Sequence, residues 1–266
     1  LHQAVWNNEA EVVGALLKIN TIDINAINDQ GDSALVLACM QNNLRVVTLL
    51  LQAEADFSLK RLDGNTVLHY SAGAGNKEIV RLLVTKGMDV NSKNSEGETS
   101  LIVAAICGFN EVTELLIESG ADVNVKDKDG NNLGVYLVQS YRSEGREKVT
   151  TDPFDAKAKF LQDKGLNLAA AQKDGNTLYH LAITKNDVAL LQKITDLKVD
   201  VNAKNKDGLT PLHRAAMTSK DDAILKYLVS VGAKKDISTE FDETAYALAK
   251  ENNVLTKNNI SVEFLK

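Results

Sequence analysis

The side chains able to do chemistry in this 266-residue chain are few and widely spaced. His2, His69, His180 and His213 would suit zinc binding or acid–base catalysis if several of them met. Cys39 and Cys107 are candidates for a disulfide or a reactive thiol. An acidic set recurs at Asp63, Glu96, Asp129, Asp174 and Asp207, and paired carboxylates would suit glycoside chemistry or calcium. A basic row, Lys60, Lys93, Lys126 and Lys204, runs a few residues ahead of it. The glycines form neither G-x-x-x-x-G-K-[ST] nor G-x-G-x-x-G, so no phosphate loop is present, and no serine sits in a nucleophile elbow. Whether any of these sets can meet depends on the elements that carry them.

Those elements repeat. Asp63-Gly64-Asn65-Thr66, Glu96-Gly97-Glu98-Thr99, Asp129-Gly130-Asn131-Asn132, Asp174-Gly175-Asn176-Thr177 and Asp207-Gly208-Leu209-Thr210 are one phrase, with Gln30-Gly31-Asp32-Ser33 a weaker copy. The glycines stand at 31, 64, 97, 130, 175 and 208, so four of the five intervals are 33 residues and one is 45. The longer interval reads as an insertion. Each glycine suits a turn needing positive φ. Ser33, Thr66, Thr99, Thr177, Thr210 and Thr244 are predicted helix N-caps, and Pro211 fits the first helical position after Thr210. A short helix of small residues, a break and a leucine-rich helix follow, for example Ile79–Val84. Gly87, Gly120, Gly165 and Gly232 then stand where a left-handed residue ends a helix.

This unit resembles the ankyrin repeat, most closely in Asp207-Gly208-Leu209-Thr210-Pro211-Leu212-His213-Arg214-Ala215-Ala216. The resemblance implies an all-α repeat fold. It would be a solenoid of paired antiparallel helices with β-hairpin or turn connections, elongated and curved. The reading is one ankyrin repeat domain over residues 1–266. Its units are 1–27, 28–60, 61–93, 94–126, 127–171, 172–204, 205–238 and 239–266. The first starts inside its first helix, so the chain is expected to continue N-terminally in its parent, and the last reads as a closing repeat. Gly134 predicts a weaker first helix in the fifth unit. Glu54 and Lys198, in place of the helix-ending glycine, predict distorted or frayed ends. Asn91 and Asn124 resemble ankyrin asparagines that some animal hydroxylases modify; the simpler role is a turn Asn satisfying backbone groups.

A stack of such units fixes how far apart these side chains lie. All four histidines occupy one slot, and adjacent layers lie roughly 8–10 Å apart, far beyond the roughly 2 Å reach of a zinc ligand. Each ring is therefore expected to bond the neighbouring backbone and the cap hydroxyl. Two layers separate the cysteines, roughly 20 Å, so they do not pair; Cys39 should be buried and Cys107 near the groove edge. Acidic and basic residues at the hairpin tips are expected to form alternating charged ladders. Leu49, Leu50, Leu82, Leu83, Leu115 and Leu116 are expected in the core, and each truncation to Ala should cost roughly 2–5 kcal/mol.

In the implied geometry the hairpin tips and first helices line a concave groove. Met40, Leu62, Ile106, Leu209 and Met217 are apolar at positions expected to be exposed there, and they are the candidate partner-binding residues. The insertion near 140–151 should project at the rim, with Tyr141, Arg142 and Arg146 as further candidates and Asp152 and Pro153 opening the next helix.

Composition fits an average globular chain, with 44% hydrophobic and 25% charged residues. A net charge of −6 and a pI near 5.3 disfavour nucleic acid as a partner. No apolar run approaches the roughly 18 residues of a transmembrane helix, so no membrane insertion is expected, and no leader peptide is visible. Two unpaired cysteines lean toward a reducing, cytoplasmic compartment, with a removed leader left open. The leading expectation is a non-catalytic scaffold without metal or cofactor that binds a protein partner through the groove. The alternative is a targeting or regulatory arm of a larger enzyme or host-directed effector. A monomer is expected, with end-to-end stacking through the uncapped first unit as the other state.

Overall fold

The Ser and Thr residues two places after the positive-φ turn residue, glycine in each turn but the last, stand at helix starts in the computed structural model, which describes residues 1–141 and 153–266. Thr66, Thr99, Thr177, Thr210 and Thr244 all hold extended backbone there. Ser33 Oγ accepts from the Val36 amide at 3.3 Å, and Thr244 Oγ1 from the Ala247 amide at 3.3 Å. Four of the second helices have caps of their own: Asn43, Asn76, Asp187 and Asn252 each accept from an amide two or three residues on.

Two compact units result, Leu1–Lys128 and Asp129–Lys266. The first holds four helix pairs: α1 (His2–Trp6) with α2 (Ala10–Leu16), α3 (Ala34–Met40) with α4 (Leu44–Gln52), α5 (Val67–Ala74) with α6 (Lys77–Thr85), and α7 (Ser100–Cys107) with α8 (Asn110–Glu118). The second holds α9 (Leu133–Ser140) with α10 (Pro153–Asp163), α11 (Leu178–Ile183) with α12 (Val188–Asp196), α13 (Pro211–Thr218) with α14 (Ala223–Ser230), and α15 (Ala245–Glu251) with α16 (Asn253–Lys257). Within each unit a first helix packs on its own second helix and on the first helix of the next pair. The described residues contain no strand; the connections are turns, with single antiparallel bridges at Ile27/Ser33 and Ser238/Thr244.

Burial follows this stacking. Along α3 every residue from Ala34 to Cys39 is buried, because both neighbours and α4 cover it. The second helices bury one stripe each, as in Ile79, Val80 and Leu83 of α6. Leu50, Leu83, Leu115 and Leu116 lie in the core as expected, whereas Leu49 and Leu82 are half-buried at the stripe's edge.

The turn glycines do two jobs. They adopt positive φ, 76° at Gly64 and 73° at Gly97. The next tip also sits where a side chain would go: a Cβ would lie 3.0 Å from the Ser95 nitrogen at Gly64 and 2.9 Å from the Lys128 nitrogen at Gly97. That approach lets the tips bond through main chain, with the amides of Ser95, Lys128 and Lys206 donating to the carbonyls of Asp63, Glu96 and Asp174 at 2.9 Å each. Behind the tips, Asn25, Asn91 and Asn202 accept from the amides of Asp56, Asp122 and Lys234 in the following pair, at 2.8 Å each. Asn91 and Asn202 also donate to the carbonyls of Gly120 and Gly232. Asn91 is thus an inter-repeat bridge as well as a turn residue.

Three local expectations are corrected. Helix α9 runs its full length through Gly134, because tertiary packing overrides the residue's low propensity. A Cβ there would come within 2.9 Å of the buried Leu168 side chain. Its cap is Asn132, whose Oδ1 accepts from the Gly134 amide at 2.9 Å. Nor are the ends after α4 and α12 frayed: Glu54 and Lys198 themselves take the left-handed conformation, with φ of 63° and 58°.

Candidate functional site

The histidine slot is structural. Nδ1 of His69, His180 and His213 each accepts the amide of its cap, Thr66, Thr177 or Thr210, at 3.1 Å, and lies 2.8–3.0 Å from the cap hydroxyl. Because Nδ1 faces an N–H, the ring proton belongs on Nε2. Nε2 then donates to Glu98 O at 3.1 Å, Leu209 O at 3.0 Å and Ile237 O at 2.9 Å respectively. His2 reaches Asp32 O in the same manner at 2.9 Å. Burial drives the three capping imidazoles below the ordinary histidine range, more than the bonds to neighbouring carbonyls raise them. Where Ile102 fills the slot, the buried Thr99 hydroxyl has no hydrogen-bond partner. Among the described residues, no three His, Cys, Asp or Glu side chains gather where one ion could bind.

The cysteines are both free, Cys39 buried and Cys107 exposed. Burial pushes the Cys39 thiol up to about 12, against a hydrogen bond from Ser71. Burial, and then the Glu98 carboxylate, raises Cys107 as well, which argues against an activated nucleophile.

Among the described residues, the tip charges form isolated pairs and turn bonds in place of the expected continuous ladder. Asp63 and Asp174 accept from the amides of Asn65 and Asn176 within their own turns, at 2.9 Å each. A short carboxylate at this place readily bonds the backbone two residues on. Lys93 and Lys204 donate to the carbonyls of Lys126 and Ser238. Glu96 pairs with Lys128, and Arg61 is fixed by Asp32 Oδ1 at 2.9 Å, Gln30 O at 3.0 Å and the Tyr70 hydroxyl at 3.3 Å.

Large exposed apolar side chains are scattered over both units, but three of them, Trp6, Met40 and Ile106, recur at one register position on the first helices of the first unit. Met40 and Ile106, 46% and 45% exposed, occupy equivalent positions near the ends of α3 and α7. Trp6, 63% exposed, has the same place in α1, and its carbonyl accepts from Gln41 Nε2 at 3.0 Å. Leu62 is 99% exposed at a turn tip. Gly73 holds the equivalent position in α5, and there a cleft of about 390 Å³ opens between Met40, Tyr70, Gly73, Ala74 and Val103, with Asn65, His69 and Glu98 at its wall. No helix of the described residues is long and apolar enough to cross a membrane.

The other candidates separate from this row. Met217 is exposed in the second unit, where Gln139, Thr184 and Glu251 hold the equivalent places. Leu209 is half-buried rather than exposed, in the turn whose carbonyl caps His180. Tyr141 is half-buried edge-on against Phe154, with ring centres 5.9 Å apart. Arg142, Arg146, Asp152 and most of the insertion lie outside the described residues. Sequence reasoning passed over Trp6 because its unit lacks a cap to count from; His2, four residues earlier, carries the same register. Phe241, 81% exposed at the last turn, was missed because Asp242 replaces the marker glycine.

A family model described as ankyrin repeats (3 copies) matches residues 1–94, 53–127, 155–240 and 178–260. Mouse and rat protein phosphatase 1 regulatory subunit 12A are each 34% identical over 80 residues, 30% of this chain and 8% of theirs. The Drosophila melanogaster tyrosine-protein kinase Shark is 37% identical over 67 residues, 25% of this chain and 7% of its own. The chain therefore spans under a tenth of the length of these relatives. Among solved structures, the ankyrin repeat domain of Bcl-3 aligns with a TM-score of 0.66 at 22% identity, over 87% of this chain and 100% of that one. That likeness is one of fold. Ankyrin repeats generally mediate protein–protein interaction. With the family model matching most of its length and helix pairs recurring in both units, the chain belongs to the ankyrin repeat family.

Proposed function

We propose that this chain is a non-catalytic scaffold that binds a protein partner through the first-helix and turn surface of its N-terminal unit, with Met40, Leu62 and Ile106 as anchors beside Trp6. The supporting observation is the recurrence of exposed Trp6, Met40 and Ile106 at one register position, on helices held in place by buried residues such as Leu35–Cys39 and Leu101, Ile102 and Ala104. A few apolar anchors on a rigid support carry most of the affinity of such surfaces. His69, His180 and His213 are engaged in caps, and Asp63 and Asp174 in their own turns. Charge substitution at all three anchors (Met40→Glu, Leu62→Glu, Ile106→Glu), with circular dichroism unchanged, should abolish capture of the partner retained by the unmodified chain. Equal capture by both would discard the reading.

A second reading is favoured by the relatives. One is named a regulatory subunit and another a kinase, and the matched segment is a small part of each. This chain would then be the regulatory or targeting arm of a larger protein, using the same surface. Sequencing the transcript in both directions from this segment distinguishes the two readings.

A further inference from the structure

The apolar row of the first unit is interrupted where Gly73 and Ala74 replace large side chains. Their small size leaves the cleft beside Met40, walled by Tyr70 and Val103. One wall residue differs in kind. Glu98 accepts from Asn94 Nδ2 at 2.9 Å, and among the described residues no lysine or arginine pairs with it. Nearby carboxylates are matched: Asp32 by Arg61 and Glu96 by Lys128. His69, which shares the wall, does not supply the missing cation. Its Nδ1 accepts an amide proton and its Nε2 donates to the Glu98 main-chain carbonyl, an arrangement only the neutral ring can make. The cleft thus combines an apolar floor with one uncompensated negative charge at its edge.

We propose that this cleft receives a bulky aliphatic side chain from a linear protein segment in which a nearby lysine or arginine pairs with Glu98. The inference deepens the groove reading above and rests on it. An aliphatic side chain fills the space that the two small residues leave open, and the cation supplies the charge the wall lacks.

The test uses the full chain and a displayed library of random linear peptides, with the most enriched peptide resynthesised for fluorescence anisotropy. Enriched sequences should place Leu, Ile or Met within a few residues of Lys or Arg. Gly73→Leu fills the cleft. Its backbone is ordinary helix, and the new Cβ would lie 3.2 Å from Val103 Cγ1, which asks for a small shift. It should weaken binding by at least about tenfold. Glu98→Gln keeps the acceptor for Asn94 and changes no volume. It should weaken binding about three- to tenfold and flatten its salt dependence. It decides the matter alone if Gly73→Leu melts early. Glu98→Lys should restore affinity for the peptide whose cation is changed to Glu. Enrichment of no sequence, enrichment of cation-free sequences, or unchanged affinity in both variants would overturn the proposal. If the triple Glu variant of Met40, Leu62 and Ile106 loses the peptide while these two bind normally, the groove reading stands and the cleft proposal falls. If the triple variant also binds normally, both fall.

Discussion

The two caps Thr99 and Thr210 have the same backbone conformation and differ in what their hydroxyls meet, so one substitution should have opposite effects. Thr210 Oγ1 accepts the His213 amide at 3.4 Å and lies 2.8 Å from its Nδ1. Thr210→Val removes the cap and should cost about 1–2 kcal/mol. Thr99 Oγ1 is buried with no partner, and an unsatisfied buried hydroxyl carries a desolvation penalty of about 1–3 kcal/mol. Valine tolerates the extended backbone of that position, φ −96° and ψ 167°. Thr99→Val should therefore be neutral or stabilise by up to about 1 kcal/mol. The two variants should separate by about 2 kcal/mol, close to thirtyfold in an unfolding constant. Urea titration followed by far-ultraviolet circular dichroism measures this, and the fluorescence of Trp6, the single tryptophan, reports separately on the unit that holds Thr99. Equal losses at the two positions would refute the view that the Thr210 hydroxyl is satisfied by His213 while the Thr99 hydroxyl is left without a partner.

Two further predictions concern pH and backbone strain. His69, His180 and His213 have folded-state pKa values below the unfolded value of about 6.5. The unfolded chain therefore binds more protons as pH falls below that point. The stability these rings contribute is full above about pH 6.5 and is lost as pH falls through their folded values. Imidazole proton resonances titrating below about 6.5, with urea midpoints falling over the same range, are expected; midpoints above it would contradict the assignment. Separately, Glu54→Gly and Lys198→Gly relieve left-handed backbone and should each stabilise by about 0.5–1 kcal/mol. Gly87→Ala, at φ 91° with no heavy atom within 4 Å of its new Cβ, should lose about 1 kcal/mol by strain alone. Thermal melts of the three variants read both signs.

The repeat itself was legible because its markers are local: a glycine at a turn, a hydroxyl two residues on, a histidine three further. Their bonds close within one unit or to the next main chain, so spacing alone located them. The outcome at Gly134 was not legible, because packing against Leu168 settled it against residue propensity, and Glu54 and Lys198 were not legible because their types disfavour the left-handed backbone they adopt. Leu209 illustrates a related limit. The register places it at a tip, yet its carbonyl is drawn in by His180, and the side chain follows into partial cover. The cleft depends on the small size of Gly73 and Ala74, which a search for large apolar residues passes over.

The asparagine bridges carry an evolutionary consequence. Asn25, Asn91 and Asn202 fasten to peptide groups of the following pair, as do the amides at the tips. Such a seam makes little demand on which side chains the receiving module carries. A module can be duplicated, deleted or transplanted from a sister array while its neighbours keep their stitches. Recognition by such a chain can then diversify through whole-cassette shuffling faster than point substitution would allow.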